Sequence, residues 1–302
     1  MAGEVKKIVF ENTERLSLRQ IFECGQCFRW NEAPCEASRE AGPECCAESG
    51  SDLFEEQQSV ERYIGVAGGY ACLAEYDGRD LSLTVTGGDA GFWYDYFDLG
   101  TSYDEIKTEL SCRDDAICAA IENGYGIRIL NQDFWEILIS FIVSQNNNIP
   151  RIKKCIENLC REFGESIGVF EGEERFSFPT PETLALLSTE DLADIRLGYR
   201  APYIIEAAKK YIECGMPVGE PAERRAELLS YLGIGPKVAN CIMLFGLRDF
   251  RAFPIDVWVK KVMCDMYGFC EKDLKGMQVF AEERFGELGG IAQQYLFFYR
   301  RG

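Results

Sequence analysis

In the stretch YLGIGPKVANCIMLFGLRDFRAFPIDVWVKK, residues 231–261, Lys237 follows a Gly-Ile-Gly-Pro turn and Asp256 stands 19 positions later, both in apolar surroundings. PKVANCIMLF has helical periodicity, which places Lys237 on a first turn, where the N–H groups have no intrahelical acceptor. An ammonium there meets the positive end of the helix dipole, which favours the neutral amine, and a neutral lysine is a nucleophile. Asp256 heads DVWVKKVMCDM and has the type and position of an N-cap. A capping carboxylate can still face the amine. The chain has no histidine, which removes imidazole bases, Ser/His and Cys/His pairs and most catalytic zinc sites. Chemistry is left to Lys, Asp, Glu, Cys or Tyr.

The elements that must position these two groups read as AERRAELLSYL, then GIG, then PKVANCIMLF: helix, tight hairpin, helix, over about residues 222–247. Gly233 and Gly235 permit positive φ and close approach of another backbone. The free amides at the start of the second helix, Val238 among them, form an anion seat. A phosphodiester fits such a seat, and amides bind it with little formal positive charge and no base sequence. Taken alone, the fragment is equally an ordinary helical hairpin, Lys237 a solvated side chain and Asp256 a plain cap.

The 302 residues are 47% hydrophobic, enough for two or three modest cores. Charges spread through MAGEVKKIVFENTERLSLRQ and no run approaches the roughly 20 apolar residues of a bilayer span, so we expect no membrane partner and no secretion. The 14 cysteines are scattered, which points to reduced thiols. The net charge of −18 argues at first against nucleic acid, but it is uneven: residues 1–150 carry 11 basic and 27 acidic side chains, residues 151–302 carry 21 and 23. The second half can bear a local basic face.

Residues 5–30 and 60–88 alternate apolar and polar positions and predict a twisted antiparallel sheet. Between them, residues 34–58 are rich in Glu, Ser, Ala and Gly and read as a mobile insert. From about residue 103 the period is helical. Asp133 and Thr180 are expected to cap helices, and Pro236 to occupy a first helical turn. The domains are expected at 1–118 and 119–302.

The run from Leu232 to Asp256 resembles the helix-hairpin-helix, Gly/Pro-rich loop and aspartate of the endonuclease III-like DNA glycosylase superfamily, most closely the 8-oxoguanine DNA glycosylase/lyases. The similarity extends to ECGQCFRW (23–30), ISFIVSQNNNIPRI (139–152), LGYRAPY (197–203) and IAQQYLF (291–297). It implies an α+β fold, with an N-terminal antiparallel β-sheet domain of the TBP-like kind packed on a mostly helical core and the lesion pocket in the cleft between them. By the same resemblance Lys237 is the nucleophile that attacks C1′ and forms a Schiff base, and Asp256 stabilises positive charge on the sugar. Excision and strand cleavage by β-elimination are both implied.

The resemblance further implies that Gly25 meets the N7–H peculiar to 8-oxoguanine through its carbonyl, that Cys241 and Phe297 sandwich the flipped ring, and that Gln293 bonds its Watson–Crick edge. Asn146 and Tyr199 would wedge the opened duplex, Arg151 and Arg200 would read the orphaned cytosine, and Gly233, Gly235 and Val238 would hold the backbone. The expected partner is double-stranded DNA containing 8-oxoguanine, bound by a monomer working in a prokaryotic cytoplasm, or in a nucleus in a eukaryote. Two departures stand out: Trp258 occupies the place of a phosphate-contacting histidine, and Leu232 that of a proline. Lys260 or Lys261 could take over the phosphate contact.

Four rival readings remain. Cys24-Gly-Gln-Cys27 is formally a redox or zinc motif but lacks a βαβ context and a second ligand pair. An iron–sulfur cluster needs four close cysteines after the aspartate, where only Cys264 and Cys270 stand, so neither metal nor cofactor is expected. A monofunctional alkylpurine glycosylase, or a non-catalytic DNA-binding hairpin protein, would have no use for Lys237.

Overall fold

The computed structural model describes residues 5–34 and 60–301; all of the insert expected at 34–58 except Pro34 lies outside them. Five strands, β1 (Lys6–Phe10), β2 (Trp30–Glu32), β3 (Glu61–Ala67), β4 (Tyr70–Tyr76) and β5 (Leu81–Val85), form one sheet in the order β1-β5-β4-β3-β2. Every neighbouring pair is antiparallel. In β5 the alternation is complete: Leu81, Leu83 and Val85 are buried while Ser82 and Thr84 face the other side.

The expected sheet over 5–30 is interrupted by helix α1 (Leu18–Glu23). Ser17 caps it by accepting the Gln20 N–H, and Leu18, Ile21 and Phe22 turn onto the sheet. Phe22 stacks on Trp30 at 4.2 Å, which fixes the path of the chain between α1 and β2.

Helices α2 (Ala90–Tyr96), α3 (Tyr103–Arg113), α4 (Cys118–Asn123), α5 (Phe134–Ser144), α6 (Ile149–Phe163), α7 (Pro181–Ala185), α8 (Ala201–Cys214), α9 (Pro221–Leu229), α10 (Pro236–Gly246), α11 (Val257–Tyr267), α12 (Leu274–Phe285) and α13 (Gly289–Arg301) follow. Helix formation therefore starts before residue 103, and a hairpin, β6 (Ser166–Phe170) with β7 (Glu173–Phe176), interrupts the helical half. The hairpin has a tertiary reason: Phe170 closes an apolar cluster with Val66, Ala71 and Leu73 on the outer face of the sheet.

The expected caps are present. Asp133 accepts the Glu136 N–H, Thr180 accepts the Thr183 N–H, and Pro236 opens α10. Helix α5 is the centre of the helical core, with nine of its eleven residues buried. At roughly 1.5–3 kcal/mol for each large apolar side chain buried, its packing against α10 far exceeds any local helix propensity. Phe141 of α5 stacks on Phe245 near the end of α10 at 5.4 Å, which fixes the two helices against one another.

Candidate active site

Helices α10 and α11 deliver the two chemical groups. Gly235 is the N-cap of α10 and has no side chain with which to satisfy the first amides. Pro236 takes the position where a missing N–H costs nothing, and Lys237 follows. Asp256 caps α11, its Oδ1 accepting from Trp258 N at 3.0 Å and Val259 N at 2.8 Å. Oδ2 has no partner among the described residues. Both side chains line one cavity of about 400 Å³, together with Gly25, Phe28, Phe141, Cys241, Gln293, Phe297 and Arg301.

The electrostatics follow from this burial. Desolvation raises the Asp256 carboxyl above its ordinary value, against the opposing pull of the Val259 amide, Lys237 and the Trp258 amide. Lys237 and Asp256 thus act on one another across the cavity without the close ion pair that would lock either group. Burial also pushes up the Cys241 thiol, although Lys237 charge and its hydrogen bond oppose the shift. The Lys237 Nζ lies 5.6 Å from the centroid of Phe141, an apolar wall for the amine.

The four expected base-contacting residues converge here. Gly25 has φ +79°, and a Cβ on it would lie 3.5 Å from the Phe297 ring. That distance is ordinary van der Waals contact, so it is the left-handed backbone that favours glycine here, and the Gly25 carbonyl accepts no hydrogen bond among the described residues. The loop is fixed from behind by Gln26, fully buried. Its Nε2 donates to Ile21 O and Arg128 O, and its Oε1 accepts from Leu130 N at 2.9 Å. Gln293, also buried, has its Oε1 held by Gln294 Nε2 at 2.8 Å.

Cys24 and Cys27 belong to this loop, and both thiols are buried. Desolvation pushes Cys24 up to about 12 and Cys27 well above the ordinary range. Neutral, buried thiols do not attack disulfides, so the pair acts as packing.

The duplex-facing candidates lie on the rim. The hairpin glycines differ from one another: Gly233 adopts φ +81°, whereas Gly235 is extended at φ −95°, so only the first requires positive φ. A Cβ on Gly233 would meet Tyr203 Cδ2 at 2.4 Å, while one on Gly235 would meet nothing within 4 Å. Gly235 is open to a ligand; Gly233 is closed by α8. The Val238 N–H has no acceptor among the described residues.

Asn146 is exposed and left-handed at φ +46°. Tyr199 is half exposed, its hydroxyl donating to Gln145 O at 3.2 Å. Arg151 is exposed, with Nη2 on Arg196 O. Arg200, unlike Arg151, is turned inward. It is 4% exposed, with Nε on Gln145 O, Nη1 on Leu197 O and Nη2 on the carbonyls of Gln145 and Asn146. The cause is the left-handed turn at Asn146, whose carbonyls have no partner in regular structure and recruit the nearest fork of donors.

Trp258 lines the cavity, Lys261 Nζ sits 4.6 Å from its ring centroid, and Lys260 Nζ lies 3.9 Å from Glu271. Phe141, Gln26 and Arg301 were not singled out by sequence. Phe141 has the same helical spacing as its core neighbours, Gln26 shows its role only through residues about a hundred positions away, and Arg301 falls beyond the last quoted motif.

Known proteins resemble this chain in sequence and in fold. The family model described as 8-oxoguanine DNA glycosylase, N-terminal domain, matches residues 8–138, and that of the HhH-GPD superfamily base excision DNA repair protein matches 139–284. An N-glycosylase/DNA lyase of Saccharomyces cerevisiae is 32% identical over 83% of this chain and 68% of its own length. The solved structure of MBOgg1 with a low-affinity DNA ligand has a TM-score of 0.85 at 38% identity, covering 100% of this chain and 99% of that one. The 8-oxoguanine glycosylase/lyase of Clostridium acetobutylicum, in complex with double-stranded DNA containing cytosine opposite 8-oxoG, has a TM-score of 0.83 at 35% identity, covering 100% and 99%.

Proposed function

This chain belongs to the 8-oxoguanine DNA glycosylase/lyase family, and from that premise we propose that Lys237 and Asp256 excise 8-oxoguanine from duplex DNA and cleave the strand. The enzyme is a bifunctional N-glycosylase and lyase of base excision repair. The observation that supports the residue assignment is the shared cavity: amine, carboxylate and the base-contacting set occupy one volume of about 400 Å³.

The flipped nucleotide enters with its base against Gly25, Gln293, Cys241 and Phe297. The unshared Gly25 carbonyl accepts the N7–H of 8-oxoguanine, where guanine offers a second acceptor. One such reversal is worth ~1–3 kcal/mol, so the ring sandwich and Gln293 share the discrimination. As the C1′–N9 bond breaks, its electron pair leaves with the base, which takes up a proton. Asp256, charged and anchored by two amides, stabilises the positive sugar. The Lys237 nitrogen bonds to C1′ and gives up a proton, and as the C1′–O4′ bond breaks O4′ takes up a proton, so that the opened sugar is held as the Schiff base. Loss of a C2′ proton then expels the 3′ phosphate, and water releases Lys237.

A monofunctional or non-catalytic reading has no role for an amine in the cavity. On the rim, Gly235 and Val238 receive the phosphodiester backbone, Gly233 sets the hairpin, and Asn146, Tyr199 and Arg151 meet the opened duplex. Arg200 reaches the orphaned cytosine only after leaving the Gln145 and Asn146 carbonyls. The working form proposed is a monomer that carries its own amine, carboxylate and base-contacting set. A prokaryotic enzyme of this kind works on cytoplasmic DNA.

The test is excision from duplexes carrying 8-oxoguanine opposite each of the four bases, scored for free base and for nicked strand. The wild type is expected to release base and nick most rapidly opposite cytosine, and Lys237→Gln to do neither while still binding. Nicking by Lys237→Gln at the wild-type rate would overturn the assignment.

A further inference from the structure

Arg301 lines the cavity from the end of α13, opposite the capped start of α11. Only its Nη1 is committed, donating to Glu23 O at 2.6 Å, and the guanidinium carbon lies 5.8 Å from the Phe297 ring centroid. The side chain is thus tied at once to the sheet-bearing half and to the wall of the base pocket. The edge carrying Nε and Nη2 makes no hydrogen bond among the described residues. That edge presents two parallel N–H groups, the geometry that grips a phosphate with two bonds.

Elimination among the cavity donors sharpens the assignment. Two of the amides that open α11, those of Trp258 and Val259, are taken by Asp256, which leaves this helix start with the Val257 N–H alone. Asn147 Nδ2 is held by Val143 O and the Ser144 hydroxyl by Phe141 O. The two cations lining the cavity are Lys237 and Arg301, and the first is engaged at C1′. A nucleotide rotated into this cavity brings its flanking phosphates to the mouth, in a chain whose net charge is −18 and offers them little general attraction. Arg301 also bears on one reacting group, since its charge makes a small contribution to lowering Asp256 against its desolvation.

Resting on the glycosylase reading above, we propose that Arg301 clamps a phosphate flanking the flipped nucleotide through its Nε/Nη2 edge, and so holds the sugar in register with Lys237. Arg301 is a binding and positioning residue in this scheme; it touches no reacting atom.

The experiment is a salt series of binding to three duplexes: 8-oxoguanine opposite cytosine in a Lys237→Gln background, a reduced uncleavable abasic analogue opposite cytosine, and undamaged DNA. For Arg301→Gln the affinity for both flipped substrates is expected to fall about tenfold, and the slope of log K against log salt to shrink by about one, with undamaged DNA unaffected. Arg301→Lys keeps the charge and loses the fork, so it should restore the slope and only part of the affinity. An unchanged slope on the abasic duplex overturns the phosphate contact, whether affinity falls, as a mere brace to Glu23 would have it, or stays. A slope change seen only when the base is present assigns Arg301 to the base and also overturns it. Borohydride trapping of the wild type on the same 8-oxoguanine duplex reports the glycosylase reading separately: without an adduct both fall, and with one the slope judges Arg301 alone.

Discussion

At the scale of single residues, the site separates binding from chemistry by what each side chain already has as a partner. Asp256 spends one oxygen on its helix and keeps the other free, so Asp256→Asn should preserve the cap while removing the charge. Single-turnover excision is expected to fall by about 10²-fold or more. Because burial raises this carboxyl, the acid limb of the wild-type rate profile should lie above the usual aspartate range, with activity lost as the pH falls through it. The limb should disappear in Asp256→Asn; a limb that persists assigns it to another group. Lys237, Asp256 and the Gly25, Cys241, Gln293 and Phe297 set were legible in the sequence because they sit inside short motifs. Gln26 was not, since its role is fixed by the carbonyls of Ile21 and Arg128, and the inward ties of Arg200 to the carbonyls of Gln145 and Leu197 likewise appear only in the fold.

At the scale of elements, the hairpin between α9 and α10 makes two neighbouring glycines do different work. Gly233→Ala meets a left-handed backbone and the Tyr203 ring, and should cost about 1–3 kcal/mol in denaturation. Gly235→Ala meets neither, so its stability should stay within about 0.5 kcal/mol of wild type. Its affinity for DNA of any sequence should still drop, because the added methyl occupies the space where a phosphate approaches. Wild-type DNA binding by Gly235→Ala would place the backbone elsewhere. The hairpin, the Asp133 and Thr180 caps and the Pro236 start were readable because their signals are local. Helix α1 and the β6–β7 hairpin were not. The first packs on a sheet whose partner strands lie some forty or more positions away, and the second answers an apolar patch formed by Val66, Ala71 and Leu73.

At the scale of the whole molecule, the sheet-bearing and helical halves are joined through a buried charge. Arg29 Nη1 lies 3.8 Å from Glu136 Oε2 at the head of α5. Desolvation dominates there and lifts Glu136 from 4.5 to about 7 in spite of Arg29. The folded chain holds this proton to a higher pH than the unfolded chain, so stability should decline as the pH rises from about 4.5 to about 7, by about 3 kcal/mol. Denaturation midpoints across that range should lose one proton's worth of slope in Glu136→Gln; parallel profiles would show that Glu136 titrates normally. The same joint sets the cleft, since α5 carries Phe141 to the floor of the cavity and the sheet domain brings Gly25 to its wall. At every scale the molecule is arranged so that one chain bonds through Lys237 to the sugar of a flipped 8-oxo-2′-deoxyguanosine. Borohydride reduction during turnover, followed by intact mass and peptide mapping, tests it most directly. One chain joined to one DNA strand, with the remnant on Lys237, is the expected product; an adduct on any other residue, or none, would contradict a Lys237 Schiff base.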